Sequence, residues 1–229
     1  MEEADSNFDC ENESVGRFTP LDTVAILNEA PTSELRKQIM TLMRIPDEDS
    51  CIALLERYET PEHIVLHSKK VWEVGRLLGL ELLNKNLTVD MDLIRASCLL
   101  HDVGKYLCIL DGSKYHDVRG EEILDQEGFP AVARIVVQHV ILRTNMDDPV
   151  GEEHVLFYSD KRVVHDAVVS LEERFDYLEK TYGKSLEALK SLRWMKENTL
   201  SVEKKIFMHL DFEPDDLVDL LRERASDGF

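Results

Sequence analysis

Residues 98–107 read CLLHDVGKYL and contain the most informative pattern in the chain. This apolar, helix-like segment carries His101 and Asp102 side by side, followed by Gly104 and Lys105. Burying polar groups without partners costs several kcal/mol. The pair therefore either faces water at a helix end or binds a ligand that satisfies both side chains.

Composition limits the classes of function that are open to the chain. It has 229 residues, enough for one sizeable domain with additions or for two small domains. Hydrophobic residues make up 43% and charged residues 32%, as in ordinary globular proteins. The net charge of −19 repels phosphate backbones, so we expect no general nucleic-acid binding. A phosphorylated small molecule would need a locally cationic pocket.

The sequence shows no pattern of secretion or membrane insertion. The start, MEEADSNFDCENES, is acidic and polar, unlike a signal peptide. No apolar run approaches the length of a membrane span, so we expect no membrane association. The four cysteines form no CxxC pair and no spacing typical of metal sites. We therefore expect a cytoplasmic protein.

Helical patterns extend along most of the chain. Proline follows threonine at two predicted helix starts, and Ser170 with Glu173 forms a capping box. No stretch shows sustained period-two alternation or a hairpin turn signal. The sequence therefore predicts an all-α protein. The predicted helices cover residues 19–30, 33–45, 49–58, 60–85, 89–107, 121–128, 130–143, 152–169, 170–183, a long segment from 185, and 214–225.

We predict three regions along the chain. Residues 1–45 are expected to form a disordered leader, over 1–18, and N-terminal helices. Residues 46–183 are expected to form the metal-binding helical core. Residues 184–229 are expected to form a C-terminal helical extension.

Several polar residues continue the apolar stripes of predicted helices. His67 lies three residues after Ile64 and four before Val71, so it points inward. A lone inward histidine is more often a hydrogen-bonded core residue than a ligand. A core that holds several imidazoles and carboxylates is costly without a cation, and first-row divalent metals accept this donor mix. The inward residues are His67, His101, His139 and Asp160, with Asp102 and His116 beside them at helix ends.

These residues resemble the pattern of the HD-domain family of metal-dependent phosphohydrolases. The family pattern is a histidine, a His-Asp pair and a later aspartate, here His67, His101–Asp102 and Asp160. Residues 102–105 match the common D-x-G-K continuation. The resemblance covers roughly residues 60–180 and implies an HD helical bundle with N- and C-terminal helical additions.

Two further histidines extend the resemblance to a binuclear pattern. His116 and His139 fall where binuclear members carry two more ligands, as in the small HD hydrolases that cleave diadenosine tetraphosphate symmetrically. The resemblance implies two divalent transition-metal ions (Fe, Mn, Co, Ni or Zn) bridged by Asp102. The HD-GYP phosphodiesterases match less well, because residues 128–130 (GFP) precede His139 here, whereas their tripeptide follows the corresponding element.

The resemblance also implies roles in catalysis. A metal-activated hydroxide is expected to attack a phosphate ester or anhydride, with a nucleotide as the expected substrate. Asp102 and Lys105 are the catalytic candidates, and Lys105 would neutralise developing charge. The alternative for Lys105 is a solvated lysine at a helix end. The candidate substrate contacts are His63, Arg143, Lys161 and Arg162.

Other functions stay open at this point. An HD-type diiron oxygenase carries a similar ligand set, and a non-catalytic HD regulatory module is the third alternative. Neither the identity of the metal nor that of the substrate follows from the sequence. A homodimer also stays open.

Overall fold

The computed structural model describes residue 32 and residues 42–144 and 147–226. The predicted leader at 1–18, the predicted helix at 19–30 and residues 33–41 of the next predicted helix lie outside the described residues.

The described part of the chain is helical, which confirms the all-α prediction, with one very short hairpin. The hairpin pairs β1 (Val163–Val164) antiparallel with β2 (Ala167–Val168). A 3₁₀ turn covers Pro214–Asp216. The α-helices are α1 (Glu48–Arg57), α2 (Glu62–Asn84), α3 (Met91–Leu100), α4 (Lys105–Asp111), α5 (His116–Gln126), α6 (Pro130–Val136), α7 (Glu152–Lys161), α8 (Leu171–Tyr182), α9 (Leu186–Phe207) and α10 (Leu217–Ser226).

Side-chain caps explain where several helices begin. The Asp47 side chain accepts a hydrogen bond from the Ser50 amide at the start of α1. Ser170 and Glu173 form the predicted capping box of α8. The Ser185 hydroxyl accepts a hydrogen bond from the Ala188 amide at the start of α9. These caps satisfy amides that have no partner within the helix.

The predicted helix over residues 89–107 is interrupted in the structure. Helix α3 ends at Leu100, residues 101–104 form a turn, and α4 begins at Lys105. The turn packs closely on α5: a Cβ at Gly104 would lie 2.6 Å from the Gly120 nitrogen and 2.7 Å from the His116 oxygen. This contact brings the His-Asp pair next to the first residue of α5.

The predicted helix over residues 152–169 is wrong in its second half. Helix α7 ends at Lys161, and the chain turns through β1 and β2. His165 has φ of 55°, a left-handed conformation that ends helical geometry. The predicted helix over residues 130–143 likewise stops at Val136 and continues as turns.

Two apolar clusters pack the described helices together. One cluster joins α1, α3, α5 and α6 through residues such as Leu55, Leu99 and Val132. The other joins α2, α3, α6 and α7 to α10, and it includes Leu78, Ile206 and Leu217. Residues beyond 184 therefore share a core with the helices that carry the predicted ligands.

None of the described helices is both long enough and apolar enough to cross a bilayer.

The close contact at Gly104 predicts a specific sensitivity. Gly104→Ala should lower Tm by roughly 2–10 °C, because a methyl group there meets backbone atoms that cannot yield. Gly120→Ala is the matched control, since its methyl group would meet the Val136 side chain at 3.2 Å, which yields more easily. Thermal unfolding followed by circular dichroism measures both. An equal or larger loss in Gly120→Ala would contradict this account.

Candidate metal centre

Five segments bring the six predicted ligands to one place in the core. His67 comes from α2, the His101–Asp102 pair from the turn after α3, and His116 from the start of α5. His139 follows α6, and Asp160 lies in the last turn of α7. All are buried except His116, whose side chain is 25% exposed.

A first group of ligand atoms surrounds His101. One ligand atom each from His67, His101 and Asp102 lie within 4.8 Å of one another. Asp160 joins this group, because its Oδ1 lies 3.1 Å from His67 Nε2 and 3.7 Å from His101 Nε2. The group therefore offers two imidazoles and two carboxylates.

A second group lies on the other side of Asp102. It consists of Asp102, His116 and His139, with one atom from each within 4.8 Å of the others. The two Nε2 atoms of His116 and His139 are 3.1 Å apart. Asp102 Oδ1 lies 3.5 Å from the first of them and 3.7 Å from the second. Asp102 thus belongs to both groups.

Backbone carbonyls orient three of the imidazoles. The Nδ1 atoms of His67, His101 and His139 lie 2.9, 2.9 and 2.7 Å from the carbonyl oxygens of residues 165, 98 and 136. Because a carbonyl only accepts, each Nδ1 carries the proton and donates it. Each Nε2 then presents a lone pair to the centre, as in many metal sites where the second ring nitrogen is fixed this way.

His101 supplies the test of whether a metal fits this centre. Its Nε2 is fully buried and has no hydrogen-bond partner among the described residues. Nearby carboxylate oxygens accept hydrogen bonds but cannot donate one to this lone pair. A cation satisfies the lone pair and the carboxylates together, and imidazole with carboxylate suits first-row divalent ions. The residues present therefore fit a metal.

Both carboxylates stay ionised. Burial raises the pKa of Asp102, but Lys105 and His101 outweigh it and hold that pKa well below its usual value. Burial also raises the pKa of Asp160, but the charges of Lys161 and Arg174 outweigh it and hold that pKa well below its usual value. The carboxylates are thus in the form that binds metal.

The two histidines of the second group are held neutral. Burial lowers the pKa of His139 well below its usual value, and His116 and His101 lower it further. Burial also lowers the pKa of His116. His101 behaves differently, because Asp102 and Asp160 outweigh its burial and raise its pKa. In the second group the ligating, unprotonated form is therefore favoured.

Lys105 lies at the edge of the centre. Its Nζ donates to Asp102 Oδ2 at 2.7 Å, and its side chain is 37% exposed. Burial lowers its pKa, but Asp102 outweighs that effect and raises it. Lys105 therefore stays charged beside the carboxylate that the two groups share.

The other candidate contacts lie in contrasting environments. Lys161 is buried, and its Nζ donates to Asp160 Oδ2 at 2.7 Å and to the His139 carbonyl at 2.5 Å.

Arg162 donates to the Val169 carbonyl at 2.7 Å, to the Tyr158 hydroxyl at 2.5 Å and to the Pro214 carbonyl at 3.0 Å. These bonds tie α7 to β2 and the 3₁₀ turn, so the geometry directs Arg162 to a structural contact rather than to substrate.

His63 and Arg143 are both exposed. His63 lies one turn before His67 on α2, and Arg143 lies four residues after His139. No distance places either side chain within the two ligand groups.

Two contributors to the centre were missed at the level of sequence. The carbonyl of His165 orients His67 only because the chain forms a hairpin after α7. Arg174, on α8, lies 3.6 Å from Asp160 through its Nη2 atom. Its local sequence, SLEERF, shows an ordinary charged helix start, so no local signal marked it.

Comparison with known proteins is consistent with this geometry. The sequence profile of the HD domain matches residues 64–211, which include all six predicted ligands. The chain belongs to the HD-domain family. Members of this family are generally metal-dependent phosphohydrolases, and the paired His/Asp groups are compatible with a metal site.

Three curated relatives carry other names. The chain is 34% identical over 97 residues to the tRNA (cytidine(56)-2'-O)-methyltransferase of Thermoplasma volcanium, covering 42% of this chain and 26% of that protein. It is 26% identical over 149 residues to the enzyme of the same name from Picrophilus torridus, covering 59% of this chain and 41% of that protein. An uncharacterized protein of Methanocaldococcus jannaschii is 27% identical over 145 residues, covering 57% of this chain and 84% of that protein. No solved structure matches the chain.

The shared position of Asp102 predicts how metal content depends on each ligand. We expect close to two metal equivalents per chain in reconstituted protein, falling towards one in His116→Ala or His139→Ala. Asp102→Ala should fall towards none, because this carboxylate belongs to both groups. Elemental analysis of the purified variants measures the content.

The control for metal content is His63→Ala, which removes an exposed histidine one turn from a ligand and should leave the content unchanged. A single equivalent in the unmodified protein that survives loss of His116 and His139 would show a mononuclear centre.

Proposed function

We propose that the protein is a metal-dependent phosphohydrolase that cleaves a phosphate ester or anhydride, with a nucleotide as substrate and two divalent transition-metal ions at the centre. The observation that carries the proposal is the position of Asp102, whose carboxylate is shared by two separate groups of ligand atoms. When bound, two such ions lower the pKa of a water molecule and polarise the phosphoryl oxygens.

The side chains of the protein orient the ligand atoms and stabilise developing charge. The histidines hold their Nε2 atoms towards the centre through the bonds at Nδ1. Asp102 directs Oδ1 towards the second group and Oδ2 towards Lys105. The Lys105 ammonium is then placed to stabilise negative charge that develops on the phosphate or the leaving group.

Charge supports a small phosphorylated substrate rather than a long nucleic acid. The net charge of −19 opposes extended contact with a phosphate backbone. Cationic groups are concentrated at the centre, where Lys105, Lys161 and Arg174 lie beside the two carboxylates. A compact phosphate group matches this distribution, because it needs positive charge only locally.

The names of two relatives raise methyl transfer to tRNA as another activity. The match covers 26% and 41% of those proteins, so most of their length has no counterpart in the comparison. The described centre is built from imidazoles and carboxylates, which support hydrolysis at a metal. Hydrolysis is therefore the activity that this chain's own side chains favour.

An HD-type diiron oxygenase is the second candidate, because it uses the same set of nitrogen and oxygen ligands. Iron-loaded protein that consumes oxygen with a candidate substrate, and leaves phosphoesters intact, would favour it. The proximity of the six predicted ligand residues and of Lys105 supports a catalytic centre over a non-catalytic HD module.

A panel of substrates tests the proposal directly. Protein of measured metal content is assayed with nucleotides, dinucleoside polyphosphates and generic phosphodiesters, after reconstitution with iron, manganese, cobalt, nickel or zinc. We expect phosphate release from at least one class that depends on the metal and disappears in Asp102→Ala. No turnover of any compound with any metal would refute the proposal.

Lys105 provides a separate prediction within this function. Lys105→Ala should keep its metal content and lose roughly 10²–10³-fold in kcat, because one oriented electrostatic partner is removed. Lys114→Ala is the matched control, since that lysine is exposed and lies outside the centre. Steady-state kinetics on the best substrate measures the effect. Unchanged kcat in Lys105→Ala would make Lys105 a helix-end charge only.

A further inference from the structure

Arg174 carries a largely buried guanidinium beside the centre, and the predicted ligand set does not explain its position. Its side chain is 12% exposed, and Nη2 lies 3.6 Å from Asp160 Oδ1. That separation exceeds the range of an ordinary hydrogen bond. Its Nε is buried and has no hydrogen-bond partner among the described residues. Leaving a charged donor without a partner is costly, so we expect a ligand that accepts a hydrogen bond from this guanidinium.

Asp160 does not need Arg174 as a hydrogen-bond partner. Its Oδ2 accepts from Lys161 at 2.7 Å. Its Oδ1 lies 3.1 Å from His67 Nε2, so the lone pairs of both atoms face the place where a cation would bind. The guanidinium is held near the carboxylate by charge, with its donors available for another group.

Arg95 provides a comparison, because more of its guanidinium donors have hydrogen-bond partners. The Nε of Arg95 is also buried without a partner. However, its Nη1 donates to Asp92 at 2.6 Å and its Nη2 to the Pro46 carbonyl at 3.4 Å. Within the described residues the Arg174 side chain makes no such hydrogen bond. Arg174 is therefore the less satisfied of the two.

The charge at the centre points to an anion as the missing partner. Within the described residues, Lys105, Lys161 and Arg174 form ion pairs with two carboxylates, Asp102 and Asp160. Binding of divalent ions adds to this surplus of positive charge. Lys161 is 4% exposed and donates to both Asp160 and a carbonyl. Arg174 and Lys105 are 12% and 37% exposed, so they are the more accessible cations for an incoming group.

We propose that Arg174 binds a phosphate group of the substrate. This inference rests on the proposed function and assigns a substrate-binding residue to it. The planar guanidinium matches two phosphate oxygens at once, a geometry that a lysine does not reproduce. Arg174 lies beside Asp160 and Lys105 beside Asp102, so the two cations flank the centre next to different carboxylates.

Binding of inorganic phosphate to metal-loaded protein tests this role. Isothermal titration calorimetry compares the unmodified protein with Arg174→Gln, Arg174→Lys and the control Arg193→Gln, which changes an exposed arginine on α9. We expect Arg174→Gln to weaken phosphate binding on the order of 10- to 100-fold at unchanged metal content. Arg174→Lys should recover only part of the loss, because the paired donors are missing. The control should bind as the unmodified protein does.

Kinetics and metal analysis separate phosphate binding from a positioning role. On the best substrate, Arg174→Gln should raise KM, and the inhibition constant of phosphate should rise with it. Loss of metal in Arg174→Gln that Arg174→Lys restores would instead show that Arg174 only positions Asp160, and it would overturn the inference. Should Arg174→Gln fail to fold, unchanged phosphate binding in Arg174→Lys would overturn it as well.

The outcomes also distinguish this inference from the proposed function. Metal-dependent hydrolysis with unaltered KM and phosphate affinity in Arg174→Gln would leave the hydrolase in place and overturn the role of Arg174. Phosphate binding that depends on Arg174 in a protein that hydrolyses nothing would support the phosphate site and refute the hydrolase.

Discussion

A carboxylate that is 2% exposed needs positive charge or strong hydrogen bonds around it, because an isolated buried charge is very costly. In this protein that carboxylate is Asp102. Lys105 pairs with one of its oxygens, and the imidazoles of the second group face the other. The surrounding helices bring these partners close to Asp102, and the two ligand groups meet at its carboxylate.

Close backbone packing makes this arrangement possible. The turn that carries His101 and Asp102 rests on the start of α5 with no space for a side chain at Gly104. Gly120 in turn lies against Val136 of α6, just before the turn that carries His139. The position of the second ligand group therefore depends above all on the glycine at residue 104.

Backbone carbonyls also fix the orientation of three of the imidazoles. Each of the three fixed imidazoles donates from Nδ1 to a carbonyl near a helix end or in the hairpin. Those ends are also where the helices stop earlier than their apolar periodicity indicates. The interruptions after Leu100, Val136 and Lys161 thus supply the acceptors that hold the ligands.

The sequence by itself determined the all-α class and identified the residues that the structure brings together at the centre, because helical periodicity shows which polar residues point inward. The resemblance to the binuclear HD pattern added His116 and His139 as the predicted ligands of a second metal. Only the tertiary structure decided what local patterns do not contain: the hairpin after α7, the internal bonds of Arg162, and the approach of Arg174 to Asp160. These depend on contacts between segments distant in sequence, where packing overrides the local preference for helix.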